Sequence, residues 1–392
     1  MGTNLKKNVL VVHGGGPTAV MNSSLYGVVK EAQKHPEVGC VYGAKGGMKG
    51  IIEGSFVNLT EISEGRLSLL LQTPGSAIGS SRYPVSEDEY LKIPAILEKY
   101  NIGWLLPNGG NGTMDTCGKI YEACVREGYS DLKVVGIPKT IDNDLAVTDH
   151  TPGYGSAARY LAATVREVGA DVKGLPIHVC VIEALGRNAG WITAASALAR
   201  SKEGDAPHLI YTPERAFDED QFLTDVKELY DKLGGVVVVA SEGLKYADGT
   251  PIVEPIFKTG RSVYYGDVSS HLANLVVKKL GIKARCEKPG LCGRASMAWV
   301  SPVDQQEAIE AGAAALRSAL DGKTGIMIGF ERESSQPYRI HMREIPIDQV
   351  MLYEKTLPDH FISDDGTDIT QDFIDWCKPL IGSDLPEMIS FE

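Results

Sequence analysis

Cysteine is sparse and unpatterned in this chain: seven residues in 392, odd in number, with no Cys-x-x-Cys pair. That usage excludes a disulfide framework or a zinc ribbon and points to reduced thiols in a cytosol. No apolar run approaches the length of a membrane span, and Lys6-Lys7 leads straight into a strand-like run. Positive charge is also short, with 39 Lys and Arg against 51 Asp and Glu, a net charge of −12. A surface built to coat a polyanion is excluded, although a few cations and backbone N–H groups still suffice for a small phosphate compound. Repeats at solenoid periods and low-complexity linkers are missing as well. These absences describe a soluble cytoplasmic protein with neither a nucleic acid nor a membrane as partner.

What is present is a recurring unit. Asn8–Val12 reads as a buried parallel strand running into His13-Gly-Gly-Gly-Pro-Thr18, with a helix expected from Ala19 to about Lys34. A strand, a Gly-rich turn and a helix place backbone N–H groups where phosphate binds. The turn matches neither the dinucleotide fingerprint nor the Lys-Ser/Thr phosphate loop, and its glycines also suit a tight turn for steric reasons alone. Trp104–Pro107, Asn108-Gly-Gly-Asn-Gly-Thr113 and a helix from Met114 to about Glu127 repeat the arrangement. Gly43–Gly50 is either a solvated loop or a nucleotide-edge loop with Lys45 as its cation. The stretch from Gln72 to Tyr83 ends in Arg82 and leads into a helix at Glu87–Tyr100, which suits an anion contact.

Gly136-Ile-Pro-Lys-Thr-Ile-Asp-Asn-Asp144 follows the apolar pair Val134-Val135 and sets a cation, a hydroxyl and two carboxylates within six residues. An Asx-rich turn capping a helix is one reading. The other is a carboxylate at a strand's carboxyl end that takes a hydroxyl proton beside a held phosphate. Farther on, Val179–Ile182 runs into Glu183–Gly190, and Gly235–Ala240 runs into Ser241-Glu-Gly243. Arg285 and Arg294 bracket a Pro289-Gly290 turn, and Val303–Leu320 reads as a helix followed by a strand at Gly325–Gly329. Ser363-Asp-Asp-Gly366 has the wrong ligand spacing for a calcium loop and reads as a turn. The whole predicts an α/β protein of two Rossmann-like lobes, parallel sheets with helices on both faces, and an active site in the cleft between them. Gly-rich helix starts, arginines and a Lys/Asp/Asp cluster at strand ends together suit phosphoryl transfer, which depends on positioning and charge stabilisation.

Pro138–Asp144, Pro152-Gly-Tyr-Gly-Ser156 and Glu183-Ala-Leu-Gly-Arg-Asn-Ala-Gly-Trp191 strongly resemble the phosphofructokinase family of the ATP- and pyrophosphate-dependent type. His13–Asn22, Asn108–Cys117, Ser241–Gly243 and Phe361–Gly366 fall in the family's order, so the resemblance spans nearly the whole chain. Length and C-terminal tail are most like the long bacterial group that mostly uses pyrophosphate. The resemblance implies Asp142 as the base on the C1 hydroxyl of fructose 6-phosphate, with Lys139 on the transferred phosphoryl and Thr140 orienting. It assigns Arg82 and Arg187 to transition-state charge, and Gly15, Gly16, Lys45, Gly110, Asn111, Gly112 and Thr113 to the donor. Asp144, Leu185, Gly186, Glu242, Arg285 and Arg294 fall to the sugar, and Asn111 and Asp144 to Mg²⁺. It further implies a homodimer or homotetramer. The lobes expected are 1–152 plus about 292–322 for the donor, and 153–291 plus about 323–392 for the sugar and the C-terminal extension.

Departures from the family pattern bear on both substrates. Pyrophosphate users similar to this group carry Asp where Gly112 stands, so Gly112 makes ATP the expected donor, whereas Lys139 is usual with pyrophosphate, the alternative. ATP-using relatives carry Asp where Asn111 sits. The family's basic residue from a neighbouring subunit maps to His178, and its His or Tyr near the distal phosphate maps to Leu291. A different sugar phosphate, or an unphosphorylated sugar or polyol, therefore stays open as acceptor. A dehydrogenase and a non-catalytic sugar-phosphate binder are the competing classes.

Overall fold

The apolar run at the start of the chain is continuous because both its faces are covered. In the computed structural model, which describes residues 6–259 and 262–391, Lys7–His13 is a strand whose last five positions are buried. Val9 and Val11 pack with Leu25, Val28, Ala311 and Ala315 on one side. Leu10 and Val12 pack with Ile51, Ile93, Leu97 and Met114 on the other. Successive side chains of a strand point to opposite faces, so a helix layer on each side demands an unbroken hydrophobic sequence.

The chain divides into two compact units, residues 1–156 with 294–355 and residues 157–293 with 356–392. The first contains a seven-stranded sheet. Its order is Tyr338–Pro346, Ile326–Ser335, Lys133–Pro138, Ile102–Gly109, Lys7–His13, Val38–Ala44 and Phe56–Asn58. The four central pairings are parallel and the outermost pair at each edge is antiparallel. Helices Met21–Ala32 and Pro302–Leu320 cross unusually closely on one face. A Cβ on Gly27 would lie 2.0 Å from the Ile309 carbonyl oxygen, and one on Gly312 would lie 2.0 Å from that of Ser24. Ser301 caps the second of these helices by accepting from Asp304 N–H, with Pro302 at its first turn.

The second unit holds a four-stranded parallel sheet in the order Ala284–Glu287, Val179–Ala184, Val236–Ser241 and Leu209–Tyr211. A hairpin of Pro255–Thr259 and Ser262–Tyr265 stands apart from it. The C-terminal segment is fastened by aromatic packing: Trp191 meets Trp376 at 4.9 Å between ring centroids and Phe361 at 6.1 Å.

The division differs from the expected lobes at residues 323–355. Strand Ile326–Ser335 pairs with Lys133–Pro138 through Ile326↔Val135 and Met327↔Gly136. Met327 joins one buried face of the first sheet while Ile328 and Phe330 join the other. That burial, which a contiguous reading of the tail misses, keeps this segment in the first unit.

Candidate active site

The first unit's parallel strands end together, and their following turns touch. Thr113 is wedged between two of them. A Cβ on Gly14 would come 2.2 Å from Thr113 Oγ1 and one on Gly109 would come 2.1 Å from it. Gly14 N–H donates to Asn108 O at 2.9 Å, and Gly15 N–H to Ser81 O at 3.1 Å. Gly15 has a φ of 74°, a left-handed conformation in which a side chain is strained. The second helix begins at Asn111, earlier than the expected Met114, with Gly110 as its cap. Asn111 and Gly112 thus open a first turn, the part of a helix where N–H groups lack carbonyl partners and favour an anion, while Thr113 N–H already donates to Gly110 O at 2.8 Å. The helix after the first turn starts at Met21 rather than Ala19, capped by Val20, so its N-terminus stands back from Gly15 and Gly16.

Lys139 is buried and its Nζ donates to Gly16 O at 2.6 Å. Burial lowers its ammonium to about 8. Asp142 and Asp144 oppose that fall, and Arg294 and Arg82 add to it. These charges therefore share one locality at the ends of the strands. Arg294 also approaches Gly16, where a Cβ would lie 3.2 Å from Nη1, and its buried Nε has no partner. Thr140 is buried, and its Oγ1 accepts from Asp142 N–H at 3.1 Å, which fixes the loop bearing the carboxylate. Arg82 is exposed beside these groups. Lys45 is exposed too, on a loop that packs against residues 78–81 through Gly46 N–H to Ile78 O at 3.0 Å.

Asn111 Nδ2 donates to Asp144 Oδ2 at 2.9 Å. Asn111 Oδ1 and Asp144 Oδ1 are both buried without a partner. An amide oxygen and a carboxylate oxygen left unspent on two hydrogen-bonded side chains are the donor types a hard divalent cation uses. No group of three or more His, Cys, Asp or Glu placed to hold a metal occurs among the described residues.

In the second unit the strand ends carry their own cluster. Gly186, at a φ of 116°, donates its N–H to Glu242 Oε1 at 3.2 Å and accepts from Ser241 Oγ at 2.8 Å. Leu185 is half-buried beside it. Arg187 is exposed, donating to Val263 O at 3.1 Å and lying 5.4 Å from the Tyr265 ring centroid, so the hairpin supports it. Arg285 is exposed on strand Ala284–Glu287. His178 is buried, and burial together with the Arg285 charge lowers its pKa. It is therefore a neutral imidazole at pH 7 rather than the cation its position in the family pattern suggested. Leu291 is 70% exposed and offers no polar atom.

Sequence reading missed the buried charge network that braces the Asp142 loop. His150 is buried between Asp149 Oδ2 at 2.8 Å and Glu307 Oε2 at 2.7 Å. Tyr338 donates to Glu307 at 2.6 Å, and Arg332 donates to Asp149 at 2.9 Å. Although burial alone would lower it, the two carboxylates raise His150 to about 9. A pKa raised from 6.5 gives stability that is full below about pH 6.5 and lost as pH climbs through about 9. Chemical denaturation of the wild type and His150→Gln at pH 6 and 9.5 should show their stability gap shrinking by about 2–3 kcal/mol. A gap constant with pH would show that His150 is not charged. Buried lysines contribute equally to both proteins and cancel.

A site that turns glycine-rich strand ends, a buried ammonium and paired carboxylates toward one place is built to handle phosphate. The "Phosphofructokinase" family model matches residues 8–319. A "Pyrophosphate--fructose 6-phosphate 1-phosphotransferase" of Rhodospirillum rubrum is 40% identical over 97% of this chain and 96% of that protein. A "Sulfofructose kinase" of Alkalicoccus urumqiensis is 32% identical over 96% of each. A crystal structure titled "Pyrophosphate-dependent phosphofructokinase" from Marinobacter aquaeolei superposes with a TM-score of 0.88 at 35% identity, covering 98% of this chain and 94% of that one. The chain belongs to the phosphofructokinase family.

Proposed function

We propose that this chain transfers a phosphoryl group from pyrophosphate to the C1 hydroxyl of fructose 6-phosphate. The observation that carries the reading is Lys139: a buried ammonium bonded to the Gly16 carbonyl, within the field of Asp142, Asp144, Arg82 and Arg294. A phosphate lying against the Gly15–Gly16 turn and the first turn at Asn111 meets cations on one side and N–H groups on the other. Asp142, on a loop fixed through Thr140, takes the proton as the C1 oxygen bonds to phosphorus and the bond to the leaving phosphate breaks. The family resemblance assigns Arg187 to charge on the transferred group, Glu242 to the sugar and Arg285 to its distal phosphate. Asn111 Oδ1 and Asp144 Oδ1 fit Mg²⁺, which neutralises phosphate charge when bound.

The names of four relatives, each matched over 97% of this chain, support pyrophosphate as donor. ATP is the second reading, and Gly112 favours it: a Cβ there meets nothing within 4 Å, so the space an Asp would take is open. The experiment is a rate matrix of ATP or pyrophosphate with Mg²⁺ against fructose 6-phosphate, its 6-sulfonate counterpart and free sugars. Pyrophosphate with fructose 6-phosphate should give the highest turnover. Activity confined to the sulfonate or to a free sugar would fit the neutral His178 and apolar Leu291 and would overturn the acceptor. No turnover in any cell would overturn the function. Gly112→Asp adds a carboxylate at a helix N-terminus in open space, a change the fold accepts. Its rate with pyrophosphate should stay within about threefold of wild type, while any rate with ATP should fall about tenfold or more.

A further inference from the structure

Asp144 stands in a stretch of backbone that does not hold its own shape. Asn143 has a φ of 53° and Val147 a φ of 65°. The second is a β-branched residue in the left-handed region, a costly conformation that persists only where surrounding structure imposes it. The imposing structure is the last stretch of the first unit. Leu145 and Glu354 form an antiparallel bridge, and Lys355 N–H donates to Asp144 O at 2.8 Å. Lys355 Nζ reaches back to Thr148 O at 2.8 Å and Asp149 O at 2.9 Å. One residue therefore grips the loop on both sides of Val147. Thr148 is further tied by Phe330 N–H donating to its Oγ1 at 2.8 Å, which gives the clamp a rigid base in the sheet.

Charge works in the same direction. The Lys355 side chain is half-buried, desolvation bringing its ammonium down to about 8 while Asp149 and Asp144 hold it up. Lys139 interacts with Asp144 too, so two ammoniums, one of them buried, act on the one carboxylate. Asp144 Oδ1 is left without a protein partner, as is Oδ1 of Asn111, whose Nδ2 donates to Asp144 Oδ2 at 2.9 Å.

We propose that Lys355 is a positioning residue for phosphoryl transfer, holding the strained loop of residues 143–149 so that Asp144 presents its unpartnered oxygen beside Asn111. The proposal rests on the phosphotransferase reading for its effect on rate, and on geometry alone for the clamp. The test is Lys355→Met, which keeps the stem and removes the donors, followed by hydrogen exchange of the 143–149 amides and by steady-state kinetics. Loss of two hydrogen bonds from an ammonium to enclosed carbonyls should speed exchange in that loop about tenfold or more. With fructose 6-phosphate and pyrophosphate, kcat should fall about tenfold or more while the KM for the sugar phosphate changes by less than about threefold.

Val147→Gly supplies the second arm, since glycine adopts a positive φ without strain and the loop then needs the clamp less. Placed in Lys355→Met, it should slow the loop's exchange again and recover part of kcat. A residue that merely stabilised the fold would not show that rescue. If Lys355→Met does not fold, Lys355→Arg is compared with and without Val147→Gly. A guanidinium is bulkier than an ammonium and holds its N–H groups in one plane, so it does not reproduce the ammonium's fit between the two carbonyls; exchange should still quicken and Val147→Gly should still slow it. Wild-type exchange in either Lys355 variant would overturn the clamp. Fast exchange with unchanged kcat would overturn its part in transfer. A wild type inactive with every substrate pair would overturn the proposed function, and the exchange result would still decide the clamp.

Discussion

Asp142→Ser should cut turnover by roughly 10²–10⁴-fold, the range a general base contributes, while fructose 6-phosphate binds nearly as before. The substitution removes the carboxylate and keeps a small polar group on the loop. Asp142 N–H still donates to Thr140 Oγ1 after the change, because that bond is made by the backbone. The Lys139 ammonium and the Gly16 carbonyl also remain in place. Ground-state binding therefore persists, and the proton acceptor is what goes. Initial rates and isothermal titration with fructose 6-phosphate separate the two quantities. Equal loss of both would mean that Asp142 holds the sugar rather than its proton. Ligand binding by a wild type with no turnover to lose would mark a non-catalytic binder.

Gly27→Ala and Gly312→Ala should each destabilise the protein by about 3 kcal/mol or more, a large value for one methyl group. The contact each new methyl meets is a carbonyl oxygen of the opposing helix, at 2.0 Å in both cases. A flexible side chain could turn aside, but a helix backbone cannot, so the two helices must separate. Separation is itself costly, because Leu25, Val28, Ala311 and Ala315 pack at the same crossing and would lose contacts as it opened. Thermal or denaturant unfolding reads the effect. A loss under about 1 kcal/mol would show that the crossing relaxes freely.

Much of this was legible in the sequence because it is local. The Gly-rich turns after Lys7–His13 and Ile102–Gly109, and the Lys139–Asp144 stretch after Lys133–Pro138, are each set by a few consecutive residues. So is the turn at Ser363, where Ser363 Oγ donates to Asp365 Oδ1 at 2.6 Å. What escaped is what depends on distant segments. Lys355 follows no motif, and its partners are main-chain carbonyls, which every sequence supplies. His150 and Glu307 meet across 157 positions, and neither residue type predicts the other. The hairpin of Ile326–Ser335 and Tyr338–Pro346 is half-exposed along its outer strand, so its weak hydrophobic signal hid its place in the first sheet.

That hairpin also sets an order of events during synthesis. All four strands of the second unit's parallel sheet lie between residues 179 and 287, so that sheet can close as soon as those residues are made. The first unit's sheet cannot, although its earliest strand begins at Lys7. Until Ile326–Ser335 emerges, Lys133–Pro138 remains an open edge with unpaired backbone groups, a template for another chain. The sheet that is begun first is thus completed last, and a nascent chain halted near residue 320 leaves the strand before Lys139 uncovered.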